Sequence, residues 1–306
     1  MTQPRKRTEI IRFPLLQSYH FSTDVLLWGL YLIALIFMIL RIASRISIRE
    51  RLKADDYFAF SSFALLSVGT AIHTAAVSPY IDGFNIAQNN PNFKSTVAEN
   101  PALREDAIAV FRYSFATLII FWLTVWCVKF SMLFFIRPIM VPIPVYLEGW
   151  YIVFGFTVMN LIGCFIIQFF GCLPFGLNFS FKNDNCVSGN STEPGKLYGT
   201  TALDTLSDMM IVILPTRHLF ELPATKKQKA GLVVIFALGW IIIAFSLVRA
   251  IHATTAGNNI LGPINQRWLA IWSHVECVVA VTVVCLPPIW VGYRKRWRRV
   301  HESSMS

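Results

Sequence analysis

Long apolar runs alternate with short polar ones along the whole chain. The first apolar run covers about Val25 to Ile42, the second about Tyr57 to Val77, and the third about Ser114 to Ile136. The fourth covers about Trp150 to Phe170, the fifth about Gly199 to Leu214, the sixth about Ala230 to Ile251, and the seventh about Trp268 to Trp290. A membrane-crossing helix needs about 20 mostly apolar residues, and backbone amides in hydrocarbon need partners within their own segment. The pattern therefore predicts an all-α, polytopic membrane protein with seven transmembrane helices. The fifth run is the weakest, because Asp204, Ser207 and Asp208 interrupt it. Residues 1–24 form a short tail that is too polar for a cleaved leader. Residues 25–293 form one seven-helix domain, and residues 294–306 form a basic tail.

Composition agrees with this reading. The 306 residues are 55% hydrophobic and only 14% charged, against about 25% charged in a soluble domain. Mean hydropathy is +0.54. These values exclude a disordered chain, a nucleic-acid-binding basic domain and an ordinary soluble enzyme.

Net charge is +10, and its distribution sets the expected orientation. With the N-terminus outside, the cytoplasmic loops carry Arg41, Arg45, Arg49, Arg51 and Lys53, then Arg137, then Arg217, Lys226, Lys227 and Lys229, and finally Arg294 to Arg299. The N-terminal tail, with Arg5, Lys6, Arg7 and Arg12, dissents. The loop after span four then faces the oxidising side. It carries the sequons at Asn178 and Asn190 and the pair Cys172 and Cys186, which suits a loop staple. Cys127, Cys164, Cys277 and Cys285 fall in spans and read as core residues. The clusters at Lys226–Lys229 and Arg294–Arg299 read either as topology determinants touching anionic lipid or as a docking surface for a cytoplasmic signalling partner.

Ionisable groups inside the spans are costly and point to a bundle interior or cavity. In the N-out arrangement Asp204 and Asp208, four residues apart on one helix face, lie in the outer half of span five. His274 and Glu276 lie in the outer half of span seven. His73, Arg249 and His252 lie near the outer ends of spans two and six. The expectation is an outward-opening polar pocket of Asp204, Asp208, Arg249, His252, Trp272, His274, Glu276 and His73, with Arg249 as counter-ion to the acids. An ion-pair lock without a ligand is the alternative. Trp240, Trp268 and Tyr198 would line the pocket or sit in the interfacial belt. Lys129 is expected to snorkel to the inner surface.

Several chemistries lack their residues. Span seven has no lysine to carry retinal, no His-Glu-x-x-His or paired Cys-x-x-Cys suggests zinc, and no Gly-rich phosphate loop is present. No cofactor is expected.

Taken together, several strings resemble the fungal rhodopsin-like integral membrane family, the group that includes surface-sensing receptors of plant-pathogenic fungi. They are Arg41-x3-Arg45 with Leu52-x2-Asp55-Asp56-Tyr57, Lys129-x-Ser131-x5-Arg137, and Cys172-x-Pro174 with Cys186. Asp204-x3-Asp208, Leu214-Pro215, Lys226-Lys227, Gly239, Ser246 and Arg249 follow, and Glu276 with Cys285-Leu286-Pro287 closes the series. The family usually has Asn at the position of Asp204, and the cysteine-rich outer module of some members is absent. The resemblance implies a multi-pass protein, by default of the plasma membrane, with receptor-like sensing of an amphiphilic ligand. Members also occur beside secondary-metabolite biosynthesis genes. The alternatives are an accessory protein of such a pathway or an intramembrane enzyme. The enzyme would use Asp204 or Asp208 as acid and Glu276 as base on a lipophilic substrate.

Overall fold

A computed structural model describes residues 5–77, 101–170, 192–221, 237, 239–248 and 263–303. Helix α1 spans Arg5–Ser47. Helix α2 spans Ala54–Ile72 and passes into a π-helical turn, His73–Val77. Helices α3 (Pro101–Met140) and α4 (Pro144–Phe170) follow, then α5 (Thr192–Glu221). A ten-residue piece, α6 (Gly239–Val248), lies in the sixth apolar run, and α7 spans Pro263–Ser303. There is no strand among the described residues. Five of the helices are long and apolar enough to cross a bilayer by themselves: α1, α2, α3, α4 and α7.

The boundaries follow from local chemistry. Helix α3 opens at Pro101, where the absent N–H costs nothing. Helix α2 opens with Asp55 and Asp56 in its first turn, and the Asp56 carboxylate accepts the Lys53 N–H at 3.1 Å. That caps a helix start with a charge suited to its dipole. The turn before it holds Arg49 at φ 52°, a left-handed conformation that ends α1.

The tightest pairings are α2 on α3 and α1 on α7. The core runs through α3, whose Trp126, Leu133 and Ile136 are almost fully buried, and through Val281 and Cys285 of α7. The α1–α7 contact is close because Gly292 faces Ser44. A Cβ there would lie 2.1 Å from the serine hydroxyl. The outward faces carry the apolar side chains that a bilayer requires, such as Ile36, Ile39, Ile152 and Met159. Trp240 is 48% exposed, so it faces outward rather than lining an interior pocket.

Prolines do not break these helices. Helix α3 continues through Pro138, α5 through Pro215, and α7 through Pro287 and Pro288. Pro288 has no N–H to offer the Val284 carbonyl. That carbonyl instead accepts a 2.6 Å hydrogen bond from Arg41 Nη1.

Candidate functional site

Two groups of buried charge hold the bundle together, and neither matches the expected pocket. The first lies at the α1–α2 turn. Arg41 is 0% exposed and Asp56 0%, with Asp55 at 2% and Arg45 at 5%. Arg41 donates to Asp56 through Nε (3.0 Å) and to Asp55 through Nη2 (2.8 Å). Arg45 donates to the same two acids at 3.2 and 2.7 Å. Its remaining arm reaches Glu50 at 3.1 Å, which also pairs with Lys295 of α7. The Ser131 hydroxyl of α3 donates to the Asp55 backbone carbonyl at 2.6 Å. The network thus joins α1, α2, α3 and α7. Reading Arg41 and Arg45 as loop charges missed it. Their spacing of four, opposite the Asp55-Asp56 pair that begins the next helix, is the signal that could have found it. Outside the spans, the Lys295 hydrogen bond holds the Glu50 carboxyl down at about 2, from an ordinary 4.5.

The second group lies in mid-bundle. Lys129 stands near the midpoint of the apolar stretch Phe115–Met140 and is 3% exposed. Its ammonium meets Asp204 Oδ1 at 2.7 Å and Asp208 Oδ1 at 2.9 Å. It also donates to the Ser207 hydroxyl at 2.7 Å and the Asp204 backbone carbonyl at 2.9 Å. The Trp126 ring lies 4.9 Å from Nζ, a cation–π contact. Asn160 of α4 donates to the Leu203 carbonyl at 2.8 Å, fixing the same stretch of α5 from the other side. The expectation that Lys129 snorkels to a surface is therefore corrected: two carboxylates stabilise the ammonium in place. Nor do the aspartates lie away from it: both carboxylates meet its ammonium. Helix α5 extends from Thr192 to Glu221 rather than from Gly199 to Leu214, which puts Asp204 and Asp208 near its middle, level with Lys129. The acids that weaken the fifth span in sequence face α3, not lipid.

The triad is not balanced. One ammonium meets two carboxylates, and Asp208 Oδ2 is buried without a hydrogen-bond partner. Thr205 and Thr201 precede Asp208 on the same face of α5, and their buried hydroxyls also lack partners. A cavity of about 30 Å3, partly open, adjoins Lys129 and Asp208 between α3, α5, α6 and α7. A small-molecule site normally measures about 300 Å3 or more, so this space admits a head group rather than a whole amphiphile.

Of the remaining expected pocket residues, His274 and Trp272 have partners of their own. The ion-pair partner of Asp208 is Lys129. His274 lies within hydrogen-bonding distance of Thr70, at 3.5 Å, where α2 packs on α7. Glu276 is 2% exposed. Its spacing of two from His274 directs it to another side of α7. Trp272 donates its indole N–H to the Phe245 carbonyl at 3.1 Å and stacks on the Phe245 ring, tying α7 to α6. Arg249 and His252, the cysteines Cys172 and Cys186, and the sequons at Asn178 and Asn190 lie outside the described residues. No cluster of His, Cys, Asp or Glu suited to a metal ion occurs among the described residues.

The fold is that of a multi-pass, seven-helix membrane protein crossed by buried ion pairs. The fungal rhodopsin domain matches residues 40–295, and the chain belongs to that family. No curated protein and no solved structure matches the chain.

Proposed function

We propose that the protein is a receptor-like membrane switch without retinal. Its N-terminus faces outside and its basic tail faces the cytoplasm, in the plasma membrane by default. The orientation rests on the basic residues of the loops. The observation that carries the functional reading is the unbalanced Lys129–Asp204–Asp208 triad, bridging α3 and α5 beside a cavity with one carboxylate oxygen left over. A ligand that engages Asp208 competes with Lys129 and changes the α3–α5 contact. Helix α3 carries both Lys129 and, two residues on, Ser131, which is bonded to the Asp55 carbonyl of the turn-end network. One rigid helix thus connects the site to the end where the basic loops would meet a cytoplasmic partner. This is a physical route for coupling two sites.

An enzyme would need Asp204 or Asp208 as proton donor and Glu276 as base. The geometry favours sensing, because both aspartates are acceptors for a single ammonium. The outer loop, with its sequons and cysteine pair, fits a glycosylated, disulfide-stapled exterior. A place beside a secondary-metabolite pathway is compatible with sensing that pathway's product.

The test is an untargeted metabolite profile of a gene deletion, rescued by the wild type or by Asp208→Asn. An unchanged or diffusely shifted profile is expected. One accumulated precursor with one missing product would overturn sensing in favour of an enzyme or transporter.

A further inference from the structure

We infer that the α1–α2 turn and the far end of α7 form one binding site for the phosphomonoester head group of an anionic phospholipid. The inference is independent of what the mid-bundle triad senses. It joins two basic segments that the sequence presents separately.

Both segments are one-sided in charge. Residues 49–53 carry Arg49, Arg51 and Lys53, residues 293–299 carry five more cations, and Glu50 is the one acid in either stretch. The fold brings them together. Gly292 packs against Ser44, which sets α7 on the end of α1, and one turn further on Lys295 reaches Glu50 Oε1. Lys53 approaches Oε2 of the same carboxylate at 3.4 Å, and Arg45 at 3.1 Å. Arg45 is buried and committed to Asp55 and Asp56 as well. The two lysines are half-exposed, and they stand side by side on the two oxygens of one carboxylate. An ammonium has three N–H groups, of which Glu50 takes one from each lysine. The others remain for an anion, with the exposed Arg49, Arg51 and Arg296 beside them in the chain. Glu50 thus gathers the cations without cancelling them.

Depth makes the anion a lipid. Trp290, Tyr293 and Trp297 follow one another along α7 at spacings of three and four and are exposed, so they share one outward face. Exposed aromatic residues at the end of a spanning helix mark the membrane–water interface. Lys295 and Arg296 fall within the length of that stripe, and the apolar Ile46 and Leu52 are exposed beside the turn. The cations therefore lie at head-group level, next to apolar surface that suits the start of the acyl chains. Basic clusters at this level attract anionic lipid. A phosphomonoester exceeds a phosphodiester in charge and has three terminal acceptor oxygens. These suffice to bridge the two ammoniums while Glu50 keeps its own contacts.

The test uses the full-length protein in an uncharged detergent near neutral pH and reads its thermal unfolding midpoint against four probes. They are dioctanoyl phosphatidic acid, dioctanoyl phosphatidylglycerol, dioctanoyl phosphatidylcholine and glycerol 3-phosphate. A ligand that binds only the folded state raises the midpoint with concentration. Phosphatidic acid is expected to raise it at the lowest concentration and phosphatidylglycerol weakly. Phosphatidylcholine and glycerol 3-phosphate should not raise it over the same range. Equal responses to the acid and the glycerol lipid, or to the choline lipid, would overturn the proposal. So would an equal response to glycerol 3-phosphate, which would make this a site for soluble anions. Silence with all four would also overturn it and leave the surface to a protein partner. This series decides whether or not a variant folds. Lys53→Gln with Lys295→Gln should raise the concentration of phosphatidic acid required by about tenfold or more. Lys226→Gln with Lys227→Gln removes the same charge elsewhere and should leave it near wild type; equal losses would mean diffuse attraction and no site. Glu50→Gln should weaken the response, because the gathering carboxylate is gone. A stronger response in that variant would show that net charge alone draws the lipid, and would overturn the site.

Discussion

At the α1–α2 turn two guanidinium groups face two carboxylates, whereas in mid-bundle one ammonium faces two. Both clusters are buried and both cross between helices, yet they are built for different tasks. In the first, every arm of Arg41 has an acceptor, and its third arm takes the Val284 carbonyl that Pro288 leaves free. Charges cancel and hydrogen bonds close, which describes a lock. In the second, Lys129 is saturated while Asp208 keeps an oxygen unmet. A site with a remaining acceptor and a remaining charge can respond to something that a closed network cannot.

The comparison is broken most directly at its strongest point. Arg41→Met should leave two buried acids short of a partner and the Val284 carbonyl bare. Removing one member of a buried ion network costs about 3–5 kcal/mol, so thermal melts in detergent should show a large drop or no folded protein. Lys129→Met removes the only cation of the triad and should cost about as much by the same argument. Here, however, adding Asp204→Asn and Asp208→Asn should recover much of the loss, since the triad has few other partners. Failure of that rescue would mean the ammonium has a structural role beyond charge.

Smaller effects sharpen the contrast. Gly239→Ala places a Cβ 2.2 Å from Val212 Cγ2. Valine is stiff at χ1, so overpacking should cost about 1–3 kcal/mol, and Val212→Ala should restore the melting point. Asp208→Asn should cost less than about 1 kcal/mol: it loses part of one charged hydrogen bond but relieves the surplus charge. The equivalent change at Asp204, whose Oδ1 lies closer to the ammonium (2.7 Å against 2.9 Å), should cost more. The reverse ranking would make Asp208 the structural acid and defeat the asymmetry argued above.

The smallest effect lies at the surface. The Glu50 carboxyl is held down at about 2, so its pairing with Lys295 supports the folded state at pH values above the ordinary 4.5. That support is lost as pH falls from 4.5 toward 2. Glu50→Gln should remove that support, so that stability falls slightly at neutral pH, stays little changed near pH 2, and the acid limb of the stability–pH curve flattens relative to wild type.

The seven apolar runs were legible because hydrocarbon accepts only long, internally bonded helices, a rule that acts on sequence directly. The motif strings likewise sufficed for the family. The ion pairing was not legible in this way. Lys129 and Asp204 are 75 residues apart, and nothing local says which acid a lysine on another helix will meet. Depth reckoned from the apolar run alone did not bring the acids to Lys129, because helix α5 runs past both ends of that run. Arg41 and Arg45 were visible as charges and misread as loop cations, since only the returning α2 brings Asp55 and Asp56 beneath them.

The sequence alone determined that this chain spans a membrane as seven helices, because burial in lipid is decided by local hydrophobicity and length. Tertiary structure decided which charges cancel and which remain. Electrostatic balance in a low-dielectric interior depends on distances of 3 Å between helices far apart in the chain, and those distances exist only once the bundle has formed.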